Sequence, residues 1–364
     1  MLRVRIHIVG AGAIAGMAGA YMAMNGEDVT FVDEWTEHVE SINRHGLVID
    51  GIRGQHHVSV HALRPTQLVE PLELVFIGVK SQHTEAAMAG IMPYLTPTAT
   101  VVSLQNGFNA ELIASLIGRE RVIGTVPDYT AALVAPGQLE FTVEGPLYIG
   151  ELSGQETARI KEISRLLAMV SPVTITPNII GRIWTKQCYM SQIVMTAMVD
   201  ESISAVMTSD RNKLLGVAIV REDIAVADAA GIALESDDYF QPDLIRQRTP
   251  SARRQQVDVL AALSEKFEQK KAEELATPGY QIVKKGSGMW WDIVYRRRPS
   301  EVPGLTGAVL ERARQLGVPT PLNDAMVEMI YAIERGERPL GWNNLDELAA
   351  IAVAHGEPLS VNDE

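Results

Sequence analysis

Short apolar runs alternate with helical patterns over the first half of the chain, whereas the second half shows helical patterns almost alone. The apolar runs are rich in β-branched residues, which favours buried strands of a parallel sheet. Strands are predicted at 4–9, 29–32, 74–79, 100–104, 124–127 and 172–176, with shorter ones at 47–49 and 58–60. The pattern also predicts a hairpin from 139–143 and 147–149, split at Gly145-Pro146. The predicted fold class is therefore α/β.

The second half of the chain is predicted to be helical. Helical patterns cover 179–199, 210–231, 251–277, 286–298, 302–316 and 321–335. The third of these is rich in Ala, Glu, Gln and Lys, which predicts a solvated helix. The change of pattern near 177–181 places a first domain over 1–178 and a helical domain over 179–355. The closing segment, 356–364, is expected to be a frayed tail.

The first strand ends at a glycine turn that leads directly into a helix of small residues. The six residues from Gly10 to Ala15 follow the pattern G-x-G-x-x-A. Such a turn brings backbone N–H groups, at the positive end of the helix dipole, against a phosphate. Gly10 permits the tight turn, and Gly12 lets the backbone approach a pyrophosphate. The turn predicts a dinucleotide site formed by Gly10, Ala11, Gly12, Ala13 and Ile14.

An acidic residue completes this pattern. The second strand ends at Asp33, 23 residues after Gly10, where a carboxylate can accept hydrogen bonds from ribose hydroxyls and repel a 2′-phosphate. Asp33 therefore favours NAD over NADP, and neither Glu34 nor Trp35 offers a compensating cation. The alanine at the third position of the pattern occurs with both cofactors. The alternative is a tight strand–helix turn in another kind of α/β protein.

Composition and charge exclude several classes of function. The 364 residues are 46% hydrophobic and 21% charged, which is typical of globular proteins. A net charge of −13 argues against nucleic acid or an anionic membrane as a partner, and no apolar run approaches the ~18 residues of a membrane span. The single cysteine, Cys188, excludes an internal disulfide and is expected to be buried packing. We expect a cytoplasmic protein, because the chain opens on a strand rather than on a signal peptide.

With the second domain in view, the chain resembles the ketopantoate reductase family over nearly its whole length. The resemblance rests on the glycine turn, on V-K-S at 79–81, on Q-N-G at 105–107, on Lys186, and on the run from 287 to 307. It implies a Rossmann-type dinucleotide-binding domain followed by an all-helical domain like that of 6-phosphogluconate dehydrogenase, with the active site in the cleft between them. It also implies an oxidoreductase acting on a small molecule, and we expect a homodimer.

The resemblance assigns roles to four residues. Lys186 matches the general acid of the family, and Glu301 matches a glutamate that binds the substrate or the lysine. Lys80 and Asn106 match residues that serve both cofactor and substrate, although each could be an ordinary loop residue. The chemistry agrees, because hydride reduction of a ketone leaves charge on oxygen that a positioned proton donor must meet. In the reverse direction the lysine must be neutral, and burial disfavours the charged form of an amine.

The expected substrate pocket departs from the family pattern. Family members place four amide or hydroxyl side chains at positions that are Met190, Val194, Lys285 and Gly288 here, with Ser287 adjacent to the last. Apolar replacements remove hydrogen bonds to a polar substrate. Roughly thirty extra residues also lie within about 234–285, just before two tryptophans. We expect a substrate larger or less polar than pantoate, contacted by Met190, Val194, Ser287 and Trp290, unless the tryptophans are core or interface anchors.

Several functions remain to be distinguished. The first is an NAD-dependent dehydrogenase of a hydroxy compound other than pantoate, and the second is an authentic 2-dehydropantoate 2-reductase that uses NADPH. An opine-type dehydrogenase would need a histidine–aspartate pair that we do not find in the sequence. A dinucleotide-binding sensor without catalysis is the third, and Lys186 and Glu301 argue against it. The eight histidines show no metal-ligand spacing and are expected at the surface, so no metal is expected.

Overall fold

A computed structural model describes residues 4–69, 71–237, 240–275 and 286–362 of the chain. The chain divides into two compact units, Met1–Ile183 and Trp184–Glu364. The division falls inside one long helix, Ile179–Thr196, a few residues beyond the boundary expected from the sequence. Within the described part of the chain, none of the helices combines the length and apolar character needed to cross a membrane.

The first unit contains twelve described strands in two sheets. The strands are β1 Ile6–Val9, β2 Val29–Val32, β3 Leu47–Gly51, β4 His56–Val58, β5 His61–Leu63, β6 Leu72–Ile77, β7 Leu95–Ser103, β8 Val122–Pro127, β9 Thr130–Ala135, β10 Gln138–Val143, β11 Leu147–Glu151 and β12 Val173–Ile175. The large sheet has the order β12-β11-β8-β7-β6-β1-β2-β5, and the small one the order β4-β3-β10-β9. From β5 to β8 all neighbours are parallel, as in a Rossmann-type sheet. The predicted α/β fold class is confirmed.

Apolar side chains on both faces of the central parallel strands supply two cores. The helices of the first unit are α1 Ala13–Met24, α2 Thr36–His45, α3 Thr84–Ile91, α4 Asn109–Ile117 and α5 Ala158–Leu167. In β6, Leu74 and Phe76 join the core that contains α1 and α5, whereas Val75 and Ile77 join the core that contains α3 and α4. Since successive side chains of a strand point to opposite faces, both faces must be apolar when both are covered.

The small sheet differs from the sequence prediction. The predicted hairpin is wrong, because β10 pairs with β9 and β3 whereas β11 pairs with β8 and β12. The chain crosses between the sheets at Gly145, where a Cβ would lie 2.3 Å from the carbonyl oxygen of Asp128. The sequence pattern does not predict β9, whose residues are exposed or half-buried and show no apolar alternation.

The second unit is helical, as predicted. Its helices are α6 Ile179–Thr196, α7 Ile203–Val206, α8 Asp210–Ala229, α9 Pro242–Ile245, α10 Pro250–Leu275, α11 Gly288–Trp290, α12 Thr306–Leu316, α13 Pro321–Glu334 and α14 Trp342–Ala354. The helix predicted over 286–298 is a single turn, α11, followed by a π-helical turn at Trp291–Tyr295. Part of the predicted insertion, 276–285, lies outside the described residues.

Two further expectations for this unit are corrected. The first half of α10 is anchored rather than solvated, since Arg253, Gln256 and Leu260 are buried. The closing segment is tied down at Glu357, which is 8% exposed and pairs with Arg221 of α8 and with Arg248. The frayed-tail prediction is therefore wrong at this residue, because two guanidinium groups hold its carboxylate.

Two neighbouring carboxyl groups on α8 have opposite environments. Glu222 accepts hydrogen bonds from the N–H groups of Leu322 and Asn323, each at 2.9 Å, and so anchors the start of α13. Asp223 is fully buried, and neither of its oxygens has a hydrogen-bond partner among the described residues. Burial raises the pKa of Asp223 well above its ordinary value; the nearby Ser191 hydroxyl opposes this shift, and Glu222 adds to it. The protonated form of Asp223 is therefore favoured in the folded protein.

We predict that Asp223→Val stabilises the protein near neutral pH. Removing a buried polar group without a partner should raise the free energy of unfolding by roughly 1–3 kcal/mol. The unfolded chain loses the Asp223 proton at a lower pH than the folded chain does, so the wild type loses stability as pH rises between the two pKa values. The gain should therefore be larger near neutral pH than at about pH 4, close to the unfolded-state pKa of aspartate.

Urea unfolding of both proteins at the two pH values measures this difference. Asp223→Asn is the matched control, because it removes the titration but leaves a polar side chain in the core. A valine variant less stable than the wild type at neutral pH would contradict the assignment.

Candidate active site

The turn after β1 depends on glycines at positions where a Cβ has no room. Gly10 has a φ of +86°, and a Cβ on it would lie 2.7 Å from the backbone nitrogen of Val79. A Cβ on Gly78, after β6, would lie 2.1 Å from the Cβ of Ala15. The turn after β1 and the start of α1 therefore both pack directly against the end of β6. Alanine fits at the third position of the glycine pattern because Gly78 leaves space for its methyl group.

The N-terminus of α1 is open on its outer side. A Cβ on Gly12, the residue before the helix, would meet no atom within 4 Å. Among the described residues, no side chain caps this helix and no acidic side chain occupies its first turn. The first N–H groups of a helix lack intrahelical acceptors and attract anions. The cradle fits a pyrophosphate, which the backbone N–H groups of Gly12, Ala13 and Ile14 would hold.

Asp33 is hydrogen-bonded to this turn. It follows β2 directly, and its Oδ2 accepts a hydrogen bond from the Ala11 N–H at 2.8 Å. Its Oδ1 accepts one from the N–H of Trp35 at 2.9 Å. The carboxylate is half-buried and held by both oxygens. Its negative charge is therefore fixed beside the glycine turn.

The loops that carry Lys80 and Asn106 are joined by a polar network. Its members are Ser81, Thr84, Ser103, Gln105 and Asn109. The Gln105 side-chain amide donates to the Val79 carbonyl at 2.8 Å, and that of Asn109 donates to the Asn106 carbonyl at 2.6 Å. The side chains of Lys80 and Asn106 are half-buried at adjacent strand ends. The sequence motifs predict these two residues but not Thr84 and Asn109, whose hydrogen bonds fix the loops.

Two buried side chains, which the sequence motifs do not predict, hold the turn from the side of the small sheet. Nε2 of His38, on α2, lies 3.0 Å from the Ala11 carbonyl oxygen, and the Tyr129 hydroxyl donates to the Ile14 carbonyl at 2.9 Å. Burial raises the pKa of Tyr129, so its hydroxyl stays a donor. The prediction that the histidines lie at the surface is wrong for His38 and His7, which are both buried. No local pattern reveals a contact that spans 27 or 115 residues.

In the helical unit, Lys186 lies on α6 and Glu301 lies just before α12. Both side chains are half-buried. The segments that carry them meet, because the hydroxyl oxygens of Ser191 and Thr306 are 3.5 Å apart. Each of these residues comes five positions after the predicted catalytic residue of its own segment. The fold of this unit thus brings the two segments side by side.

The residues predicted to contact substrate are placed unequally. Met190 is half-buried, whereas Val194 is 0% exposed and packs in the core of the helical unit. Trp290 is 7% exposed and donates its indole N–H to Asp200 at 3.1 Å. The Ser287 hydroxyl is buried and accepts the backbone N–H of Trp290. Val194 offers no surface to a ligand here, and Trp290 and Ser287 make internal contacts, so Met190 is the most exposed residue of this set.

Other reactive groups do not extend the site. Cys188 is fully buried, and burial raises the pKa of its thiol well above the ordinary value, which disfavours the nucleophilic thiolate. Within the part of the chain that the structure describes, no group of three or more histidine, cysteine, aspartate or glutamate side chains could hold a metal ion.

Similarity to solved structures extends over both units. The chain is 21% identical to D-mandelate dehydrogenase solved with NADH and anilino(oxo)acetate, with a TM-score of 0.76 over 92% of this chain and 99% of that one. It is 23% identical to a ketopantoate reductase from Ralstonia eutropha JMP134, with a TM-score of 0.74 over 92% and 99%. At these identities the similarity supports the fold.

Sequence comparisons agree with the resemblance noted above. The chain is 27% identical over 340 residues to 2-dehydropantoate 2-reductase of Pyrococcus horikoshii, covering 93% of this chain and 98% of that one. It is 22% identical over 332 residues to the enzyme of Streptococcus pyogenes serotype M1, covering 90% and 97%. The models for ketopantoate reductase PanE/ApbA and its C-terminal domain match residues 6–154 and 178–334. The chain therefore belongs to the ketopantoate reductase family, whose members are NAD(P)-dependent oxidoreductases.

Proposed function

We propose that the protein is an NAD-dependent oxidoreductase acting on a hydroxy or keto compound. The observation that carries this proposal is the Asp33 carboxylate, which is hydrogen-bonded to the Ala11 N–H inside the glycine turn. A carboxylate fixed at this point complements ribose hydroxyls and disfavours a 2′-phosphate. Nicotinamide, when bound, supplies or accepts the hydride. Lys80 and Asn106, at adjacent strand ends, serve cofactor and substrate.

The proton chemistry is assigned to the helical unit. Lys186 gives a proton to the carbonyl oxygen during reduction and takes one from the hydroxyl during oxidation. Glu301 orients the lysine or accepts a hydrogen bond from a substrate hydroxyl. Family membership supports both roles, and so does the contact between the two segments at Ser191 and Thr306. A dinucleotide-binding sensor would not need this pair.

The proposed substrate is larger or less polar than pantoate. Met190 puts a thioether where the family has an amide, and this side chain keeps exposed surface. One structural relative is a D-mandelate dehydrogenase, and mandelate is an aromatic hydroxy acid. The second candidate is an authentic 2-dehydropantoate 2-reductase using NADPH, which the names of the curated relatives favour. We also propose a dimer, as described for the Staphylococcus aureus relative.

We predict that the enzyme prefers NADH to NADPH and that Asp33→Asn narrows the difference in kcat/KM between the two cofactors. A 2′-phosphate beside the Asp33 carboxylate would set two anions together, and the asparagine keeps an oxygen for the Ala11 N–H. Steady-state kcat/KM with each cofactor measures the preference. Asp28→Asn makes the same charge change on an exposed residue before β2 and should leave the preference unchanged. Higher kcat/KM with NADPH in the wild type would favour the second candidate.

We predict that Lys186→Ala lowers kcat by roughly two to four orders of magnitude, the scale for a proton-transfer group. Dinucleotide binding should stay nearly intact, because the glycine turn and Asp33 belong to the first unit. Glu301→Gln should be milder and should raise KM as well. Arg211→Ala removes an exposed charge, paired with Asp346, from the same unit and is the control. Near wild-type turnover by the Lys186 variant would remove it from the mechanism.

We predict that ketopantoate is a poor substrate compared with bulkier or aromatic 2-oxo acids. Each hydrogen bond lost to a buried polar group costs about 1–3 kcal/mol. Replacing the amides of the family by apolar side chains should therefore lower kcat/KM for ketopantoate strongly. Reduction of ketopantoate and of an aromatic 2-oxo acid, each with NADH and with NADPH, tests this. Met190→Asn should recover part of the ketopantoate activity. Efficient ketopantoate reduction by the wild type would instead identify an authentic 2-dehydropantoate 2-reductase.

A further inference from the structure

His38 makes two hydrogen bonds at the centre of the first unit. It lies on α2, is 0% exposed, and contacts the Ala11 carbonyl through Nε2 at 3.0 Å. On the opposite side of the ring, the backbone N–H of Gly137 donates to Nδ1 at 2.8 Å. Gly137 belongs to the connection between β9 and β10. The imidazole therefore bridges the glycine turn and the small sheet.

The two partners select one form of the ring. A backbone N–H can only donate, so Nδ1 must be an unprotonated acceptor. A carbonyl oxygen can only accept, so Nε2 must carry the proton. The geometry therefore specifies neutral His38 with its hydrogen on Nε2. The indole of Trp35 stacks on the ring, with centroids 5.6 Å apart and planes at 17°, and adds to its fixed orientation.

The hydrogen bond from His38 Nε2 to the Ala11 carbonyl sets the direction of a peptide group in the predicted cofactor cradle. In a trans peptide the C=O of one residue and the N–H of the next point in opposite directions, and the described chain contains no cis peptide. Holding the Ala11 oxygen toward α2 therefore turns the Gly12 N–H away from α2, at the N-terminus of α1. Donation to a carbonyl also polarises the peptide and strengthens its N–H as a donor. On its other side, Ala11 is held by the bond from its N–H to Asp33.

We propose that His38 is a positioning residue for the dinucleotide: its Nε2–H fixes the Ala11–Gly12 peptide so that the Gly12 N–H is preset for the pyrophosphate. This inference rests on the proposed function, because it assumes that the glycine turn holds NAD. His38 does not touch the cofactor in this role. It lowers the cost of binding by ordering a donor in advance.

Four variants separate this role from simple support of the fold. His38→Gln can place an amide N–H near the Nε2 position and keep the bond to Ala11, whereas His38→Asn can reach only toward Gly137. His38→Phe keeps a ring against Trp35 and loses both bonds. Ser41→Ala is the matched control, since the Ser41 hydroxyl on the same helix donates to the Pro136 carbonyl at 3.0 Å and does not contact the glycine turn.

The measurement is the dissociation constant of NADH, with kcat and the cofactor KM, at a temperature where thermal melts show every variant folded. We expect the dissociation constant to rise by roughly 5- to 100-fold in His38→Asn and His38→Phe, the range for one lost buried hydrogen bond. It should stay within about threefold of wild type in His38→Gln and be unchanged in Ser41→Ala, while kcat at saturating NADH is nearly constant. If His38 only supported the fold, its variants would melt at lower temperatures, but their NADH dissociation constants would not separate His38→Gln from His38→Asn and His38→Phe.

The other outcomes are decisive. Equal NADH affinity in the wild type and the folded His38→Asn variant would overturn the inference and leave the proposed function standing. Weaker binding by His38→Gln than by His38→Asn would assign the effect to the Gly137 bond and overturn it as well. A wild type that binds neither NADH nor NADPH would overturn the proposed function and this inference together.

Discussion

The absence of side-chain atoms at Gly10 and Gly78 is the constraint on which the first unit depends. A Cβ on Gly10 would lie 2.7 Å from the backbone nitrogen of Val79, so the turn after β1 could not approach the end of β6. A Cβ on Gly78 would lie 2.1 Å from the Cβ of Ala15, so α1 could not approach that end either. The close approach sets the N-terminus of α1 beside Asp33 and within reach of His38 and Tyr129. Steric room at two residues therefore determines where the first backbone amides of α1 lie.

The local sequence pattern predicted the strands and helices of this unit better than it predicted which strands pair. The strands beside β1 read as continuous apolar runs because helices cover both faces of the sheet, and that signal is contained in each run itself. The strands of the small sheet carry no such signal, so β9 was missed and β10 was assigned to the wrong neighbour. Pairing depends on residues far apart in sequence, such as Leu139 beside Ile49, and spacing along the chain does not encode it.

In the candidate site, too, local sequence predicted some residues and missed those that act through tertiary packing. The glycines and Asp33 could be identified because a strand, a turn and a helix place them within one short segment. His38 and Thr84 could not, because each acts through a neighbour brought in by tertiary packing. For the helical unit, counting along α6 placed Met190 and Val194 on one face, yet the side chains packed around Val194 leave it 0% exposed. Helical spacing predicts which face of a helix a side chain occupies, whereas the surrounding helices determine whether that face is buried.

The ion pairs of Glu357 have a consequence for biosynthesis. Arg221 of α8 and Glu357 are separated by 136 residues, so the ribosome makes this guanidinium long before the carboxylate that neutralises it. Asn344 reaches back across 146 residues in the same way, to the Met198 carbonyl at the end of α6. A nascent helical unit therefore carries unmatched polar groups until its final turns have left the ribosome. The helical unit can therefore complete these contacts only once Asn344 and Glu357 have been synthesised, although α6 and α8 are made long before them.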